Sequence, residues 1–245
     1  MSDGLRVLCV AAHPDDIEFS CAGAVARWVD EGADAAYVIV TDGSTGTEDP
    51  EMAGAKLAAI RREETMAAAK VAGVEVVEFL GYRDGYLEPT LELRRDIARA
   101  FRKYRPHRFV VPDPAPLPGG WFVNHPDHRA VGHACLDVTI TAGTTPGHFP
   151  ELLDEGLAPW RGLREIYIAG PAGGETVVDI TSTVDRKVAA LLCHASQVGG
   201  WDVATAVRSW TADYGRPHGF AHAEAFHVLT PLRPDTGETE AAAQS

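Results

Sequence analysis

The stretch LRVLCVAAHPDD, residues 5–16, carries the signal that decides the fold. Its first part, residues 5–12, is a short apolar run with β-branched side chains, which predicts a strand buried on both faces of a sheet. The polar tetrapeptide HPDD follows directly at 13–16. Because ligands bind beyond the carboxyl ends of the strands in an open parallel sheet, these four residues lie where a functional site is expected.

Segments with strand character alternate with segments of helical spacing on both sides of this stretch. Predicted strands are 5–12, 35–41, 75–80 and 108–112, and predicted helices are 19–31, 52–72, 90–104 and 126–140. This alternation indicates right-handed βαβ units. We therefore expect an α/β fold, a Rossmann-like three-layer sandwich with a mainly parallel sheet and the site at the carboxyl ends of its strands.

The second half of the chain is less regular. Strands are predicted at 164–169, 176–180 and 223–230, a helix at 183–196, and long loops at 42–52, 112–124 and 143–162. No linker of biased composition divides the sequence, so residues 1–233 are expected to form a single domain. The remaining residues, 234–245, are small and polar and are expected to form a flexible tail.

Composition and charge exclude several classes of function. The formal net charge of -13 argues against binding to nucleic acid or to an anionic membrane surface. No apolar run reaches the roughly 18 residues of a transmembrane helix, and the first residues lack the pattern of a secretory signal. The 4 cysteines lie in apolar segments without CxxC spacing, which is typical of buried thiols in a cytoplasmic protein.

The tripeptide His-Pro-Asp occurs twice, at 13–15 followed by Asp16 and at 125–127 followed by His128. A chain with 10 His and 16 Pro among 245 residues is expected to contain far fewer than one copy by chance. Together the copies supply the side chains of a mononuclear metal site with an acid and a base in addition. Each copy alone is also compatible with a simple helix N-cap, but their joint occurrence favours a metal site.

Proline constrains both motifs. Pro14 restricts its own backbone and that of His13, so the tetrapeptide forms one turn. Pro126 suits the first position of a helix, which places His125 at its N-cap and His128 on the same face. A turn crowded with carboxylates attracts a cation and repels phosphate, which argues against a dinucleotide site. Spacing alone does not decide which Asp of the first motif, or which His of the second, binds the metal.

The two motifs, AHPDD at 12–16 and HPDH at 125–128, resemble those of the LmbE-like/PIG-L family of zinc-dependent N-deacetylases. Further stretches that resemble the family are TDGSTG at 41–46, Arg61 with Glu64, GYRDG at 81–85, DITSTVDRKVAALLCHASQ at 179–197 and AEAF at 223–226. The resemblance therefore extends over nearly the whole chain. It implies a hydrolase that removes the acetyl group from an N-acetylglucosamine-type amino sugar.

The resemblance also implies roles for individual residues. The metal ligands are expected to be His13, Asp16 and His128. Asp15 is expected to be the general base, His125 the acid or the group that stabilises the oxyanion, and Asp127 the residue that orients His125. Arg61 and Asp84 are expected near the sugar. At a position where some family members carry a tyrosine, this chain has Val123; the nearby Trp121 either stacks on a sugar or packs its loop.

Three protein ligands would leave a position for water, which marks a catalytic site. Zn²⁺ is the expected cofactor, and Fe²⁺ and Co²⁺ accept the same ligand types. One alternative is an amidase of the same superfamily that cleaves a larger amide, such as a thiol conjugate; another is a sugar-binding protein without turnover. The expected partner is a small amino sugar. The sequence does not decide whether the protein forms a homo-oligomer. It also does not decide whether His218, His222 or His227 lines the pocket.

Overall fold

The computed structural model describes residues 4–117, 122–170 and 173–231. Seven strands lie in these ranges: β1 (Arg6–Ala11), β2 (Asp34–Thr41), β3 (Val76–Tyr82), β4 (Arg108–Pro112), β5 (Glu165–Ala169), β6 (Thr176–Asp179) and β7 (Ala223–Leu229). They form one sheet in the order β3-β2-β1-β4-β5-β7-β6. The first five strands pair in parallel, and β7 runs antiparallel to both β5 and β6. The predicted mainly parallel sheet is confirmed.

The α-helices of the described residues are α1 (Asp16–Ser20), α2 (Ala22–Asp30), α3 (Ala55–Ala72), α4 (Leu91–Tyr104), α5 (Pro126–Ile140), α6 (Glu151–Asp154), α7 (Val184–Leu192), α8 (Ala195–Val198) and α9 (Val203–Gly215). Among the described residues, none of these helices is long and apolar enough to cross a membrane. The four cysteines are free thiols, and all but Cys193 are buried.

Alternating side chains of β1 enter two different cores. Leu8 and Val10 pack into a core with residues of α4 and α5, whereas Val7 and Cys9 pack into a core with residues of α2 and α3. A strand buried on both faces in this way is characteristic of a sheet covered by helices on each side. The observed architecture is therefore the predicted three-layer α/β sandwich.

The order of the strands in the sheet determines where the candidate site lies. The strand order reverses at β1, which pairs with β2 on one side and with β4 on the other. The crevice at the carboxyl ends of β1 and β4 is thus a topological switch point, where open α/β sheets bind ligands. Residues 13–16 leave β1 at this crevice.

Several elements differ from the sequence prediction. The helix predicted over 19–31 is two helices, because the amides of Gly23 and Ala24 donate to the Glu224 carboxylate (3.1 and 2.7 Å) and α2 begins anew there. The helix predicted over 183–196 is likewise divided into α7 and α8.

Two helices were not predicted. Helix α6 lies in the expected loop 143–162, and α9 begins where the Asp202 side chain accepts from the Thr205 amide at 3.1 Å. The tail predicted for 234–245 lies outside the described residues.

Candidate active site

The HPDD turn has a backbone conformation that few residues adopt. Asp15 has φ 91° and ψ -22°, in the left-handed region, where Asp is among the tolerated residue types. The Asp16 carboxylate accepts a hydrogen bond from the His13 amide at 2.8 Å, which closes the turn onto the first residue of α1. Such a non-glycine residue with positive φ costs free energy and is common at functional sites.

The second motif begins α5 as its proline predicts. His125 is the N-cap residue, and its Nδ1 accepts from the backbone N–H of Asp127 at 3.2 Å. Because Nδ1 accepts, the neutral imidazole carries its proton on Nε2. Burial and the neighbouring His13 lower the pKa of His125, so this ring is neutral at neutral pH. His125 is exposed and its ring centroid lies 4.7 Å from that of His13, so it has an N–H donor close to the first motif.

Ligand atoms from both motifs converge. His128 Nε2 lies 3.1 Å from His13 Nδ1 and 3.1 Å from an Asp16 carboxylate oxygen. The nearest ligand atoms of these three residues lie within 4.8 Å of one another. Two imidazoles and one carboxylate form a donor set that is common in catalytic zinc sites. The residues present therefore fit the expected metal.

The electrostatics of this cluster favour a cation. Burial disfavours the charged imidazole of His13, but the Asp16, Asp127 and Asp84 carboxylates outweigh it and raise the pKa of His13 to about 12. Burial also opposes ionisation of Asp16, yet His128 and His13 hold the pKa of this carboxyl well below its usual range. Positive charge is stabilised here, and a divalent cation supplies it as well as protons do.

Two carboxylates lie next to His13 Nε2, the ring nitrogen that faces away from His128. His13 Nε2 is 3.2 Å from an Asp127 oxygen and 3.2 Å from an Asp84 oxygen. Asp127 is fully buried and also accepts from the amides of Gly85 (2.7 Å) and Leu87 (3.1 Å). A carboxylate on the second nitrogen of a metal-binding histidine fixes its orientation and strengthens it as a ligand.

This arrangement differs from the expectation that the Asp127 side chain orients His125. The Asp127 carboxylate contacts His13, and only the Asp127 backbone amide reaches the His125 ring. A second group of three residues, His13, His125 and Asp127, also has ligand atoms within 4.8 Å. Both oxygens of the Asp127 carboxylate accept from backbone amides, whereas only one oxygen of Asp16 does, so the cluster of His13, Asp16 and His128 fits a metal better.

The Arg61 side chain binds to the HPDD turn of the first motif. Its guanidinium is buried and donates to the Pro14 carbonyl (2.5 Å), the Asp15 carboxylate (3.2 Å) and the Gly43 carbonyl (3.1 Å). Gly43 has φ +65°, and a Cβ there would lie 2.8 Å from the guanidinium, so the close approach requires glycine. Burial raises the pKa of Asp15 to about 7, against the lowering effect of Arg61.

The charged residues expected near the sugar, Arg61 and Asp84, lie beside the proposed metal cluster and bind other protein groups. Arg61 is engaged with the HPDD turn, as described above. Asp84 is buried, and one of its oxygens accepts from both the amide (3.0 Å) and the hydroxyl (2.8 Å) of Thr45, while the other faces His13. Both charged groups are thus committed to other protein groups. Trp121 lies outside the described residues.

Sequence reasoning missed Glu18 and did not assign chemistry to His194. Both are buried, and Glu18 Oε2 lies 3.1 Å from His194 Nε2. The signal for Glu18 was a carboxylate among apolar residues two positions after the HPDD turn. Of the three late histidines, His222 bonds to Thr211 at 2.9 Å and His227 to Glu175 at 2.6 Å.

Sequence comparison matches residues 8–139 to the PIG-L family, described as GlcNAc-PI de-N-acetylase. The matched range covers more than half of the chain and includes both His-Pro-Asp motifs. The chain belongs to the PIG-L family. The predicted family resemblance is confirmed.

The proteins similar in sequence to this PIG-L chain include enzymes of two reaction types, deacetylases and a hydratase. It is 32% identical to a diacetylchitobiose deacetylase of Thermococcus kodakarensis, over 93% of this chain and 84% of the relative. It is 29% identical to a 4-oxalmesaconate hydratase of Pseudomonas putida, over 82% of this chain and 77% of the relative. Among solved structures, an N,N'-diacetylchitobiose deacetylase from Pyrococcus horikoshii superposes with a TM-score of 0.84 at 31% identity, covering 96% of this chain and 89% of that one.

Proposed function

We propose that this PIG-L protein is a metal-dependent hydrolase that removes the N-acetyl group from an N-acetylglucosamine-type sugar or its conjugate. The observation that carries the proposal is the cluster of His13, Asp16 and His128 with the carboxylate of Asp15 in the same turn. The deacetylases among the relatives support the same reaction. A small soluble substrate fits the strongly acidic chain, and the free buried cysteines support a cytoplasmic location.

The proposed metal ligands are His13 Nδ1, a carboxylate oxygen of Asp16 and His128 Nε2. A bound Zn²⁺ supplies Lewis acidity, which lowers the pKa of water to about 7 and polarises an amide carbonyl. Fe²⁺ and Co²⁺ accept the same donors. The carboxylates of Asp84 and Asp127 contact the other ring nitrogen of His13, Nε2, and fix the orientation of the ring.

Asp15 is the proposed general base. Its pKa of about 7 makes it an effective proton acceptor at neutral pH, where the attacking water must lose a proton. Arg61 fixes one carboxylate oxygen through the 3.2 Å contact and so holds the side chain in place. The same carboxyl then returns the proton to the amide nitrogen as the C–N bond breaks, giving acetate and a free amine.

His125 is proposed to stabilise the negative charge that develops on the carbonyl oxygen. Its Nε2–H is the available donor because Nδ1 is occupied by the Asp127 amide. A neutral donor suits this role, since it gives a hydrogen bond without transferring the proton early. Removing one such donor typically reduces kcat by about 10²–10³-fold.

The test measures acetate and free amine released from N-acetylglucosaminides by the zinc-loaded protein. We expect equimolar release of both products. Asp15→Asn should lower kcat by about 10²–10⁴-fold and still bind one equivalent of zinc. Asp30→Asn, an exposed carboxylate paired with Arg186, is the control and should behave as the parent protein. Absence of amine release from every substrate, or loss of zinc in Asp15→Asn, contradicts the proposal.

A further inference from the structure

A cavity of about 550 Å³ adjoins the proposed metal cluster. Asp16 and His128 line it, together with the ends of β1, β4 and β5 and with residues of α1 and α9. The described residues that line it do not include Asp15, His125 or Asp84. The cavity therefore reaches the cluster on the side of Asp16 and His128, and the proposed base and oxyanion donor are not part of its walls.

The walls of this cavity are mainly apolar. Phe19 of α1 and Trp210 of α9 are tilted aromatic neighbours with centroids 6.5 Å apart, and both line the cavity. Ile17 and Tyr214 add further apolar surface. Surfaces of this kind bind hydrocarbon groups through burial of apolar area.

Polar side chains in the walls are engaged with other protein groups. Lys187 Nζ donates to the carbonyls of Glu18 and Phe19 (2.9 Å each) and to the Glu224 carboxylate (2.6 Å). The Asn124 amide donates to two carbonyls, of Asp113 (2.7 Å) and Ala115 (3.0 Å). The hydroxyls of a sugar ring would find few partners here, and unpaired buried hydroxyls are costly.

The scissile amide has two substituents, a sugar rich in hydroxyls and an acyl group. The alkyl chain of the acyl group is bonded to the carbonyl carbon itself, whereas the sugar carbon is joined to it through the amide nitrogen, so the alkyl chain begins nearer to the cluster. The size of the cavity is within the range that encloses whole ligands, about 300–1,000 Å³. An acetyl methyl would leave most of the cavity empty.

We propose that this cavity binds the acyl chain of the substrate, and that the preferred substrates are N-acyl amino sugars with an apolar acyl group longer than acetyl. This inference rests on the proposed amide hydrolysis and names its substrate class. It keeps the amide hydrolysis of the proposed function and changes only the preferred acyl group, from acetyl to a longer one. Each methylene buried in the cavity should raise kcat/KM roughly fourfold.

The experiment compares N-acetyl- and N-hexanoylglucosamine methyl glycosides with the zinc-loaded protein. Hexanoyl has four more carbons than acetyl, so at roughly fourfold per methylene we expect kcat/KM to be about 10²-fold higher for the hexanoyl compound. An octyl glycoside of N-acetylglucosamine tests the other source of an apolar group, and it should show no comparable gain. A preference for acetyl, or a gain with the octyl aglycone that a cavity variant removes, overturns the inference.

Two variants and a matched control locate the effect. Ser20 lies one helical turn after Asp16 and lines the cavity, so Ser20→Leu should fill the space and lower the hexanoyl-to-acetyl ratio at least tenfold. Trp210→Ala removes an aromatic wall and should also lower this ratio. Trp201→Ala changes a neighbouring tryptophan that stacks on Phe19 but does not line the cavity, and it should leave the ratio unchanged. Thermal unfolding and zinc content check that each variant is folded and loaded.

Binding of product acids separates failure of this inference from failure of the proposed function. Calorimetry with hexanoate and acetate needs no turnover. Tighter binding of hexanoate that Ser20→Leu abolishes supports the cavity even if no amide is cleaved, in which case the hydrolase proposal alone fails. Equal binding of the two acids by the parent protein overturns the cavity proposal, whether or not amides are cleaved.

Discussion

The Asp127 carboxylate is buried against His13 rather than facing substrate, and this contact has a measurable consequence. Asp127→Asn removes one of the two negative charges next to His13 Nε2 and should weaken zinc binding by about 10–100-fold. Asp137→Asn changes a half-buried carboxylate on the same helix, paired with Arg94, and should leave zinc affinity unchanged. Competition with a chelator measures both. Unchanged affinity in Asp127→Asn would show that the contact does not support a ligand.

Sequence spacing could identify the residues of the site but could not assign a role to each of them. Asp15 and Asp16 are adjacent carboxylates, and only the folded turn gives one a left-handed backbone and a contact with Arg61, and the other a contact with His128. Arg61 and Asp84 show the limit clearly. Their position near the site was predictable from the family resemblance, but their engagement with the protein depends on burial, which spacing does not report.

Among the helices and strands, the buried ion pair of Lys187 and Glu224 links α7 to β7. The Glu224 carboxylate also accepts from amides in the first turn of α2. Glu224→Gln leaves the Lys187 charge buried without its partner and should lower the free energy of unfolding by about 3–5 kcal/mol. Glu165→Gln, which breaks a partly exposed ion pair with Arg108, should cost less than about 1 kcal/mol. Urea unfolding measures the two changes, and equal effects would contradict a structural role for the buried pair.

The elements that sequence periodicity predicted are those whose cause is local. Helix α5 begins at Pro126 and ends at Ile140, as its proline and apolar spacing indicate. The break between α1 and α2 has a remote cause, since Glu224 lies about 200 residues further along the chain. Helix α9 escaped prediction because its buried face is short, with Val203, Val207 and Thr211 as its main buried positions.

For the whole molecule, the parallel topology brings the two His-Pro-Asp motifs together. The motifs are more than 100 residues apart in sequence, yet one follows β1 and the other begins the helix after β4. Alternation of strands and helices predicted that the first motif lies at the carboxyl edge of the sheet, and the occurrence of the second copy indicated that both belong to one site. The antiparallel pairing of β5, β7 and β6 was not predictable, because short strands in the second half carry no signal of direction.

Because the proposed ligands come from both sides of the switch point, a bound metal should stabilise the whole fold. At a free zinc concentration of 100 times Kd the gain is about 2.7 kcal/mol, which raises Tm by about 5–10 °C in a chain of this size. Thermal unfolding with and without a chelator measures this gain. His128→Ala, which lacks one ligand, should show no zinc-dependent shift.

The zinc-dependent gain in Tm should increase with pH. The pKa of His13, raised to about 12, means that the metal-free cluster holds a proton at neutral pH, and the Asp16 carboxylate outweighs burial to raise the pKa of His128. In the metal-free state, this raised pKa stabilises the fold fully below the unfolded value of about 6.5, and the contribution is lost as pH rises toward 12. Zinc must displace bound protons, so its affinity rises about tenfold per pH unit for each proton released. At a fixed free zinc concentration, the shift in Tm should therefore be larger at pH 8 than at pH 6; equal shifts would contradict the protonated cluster.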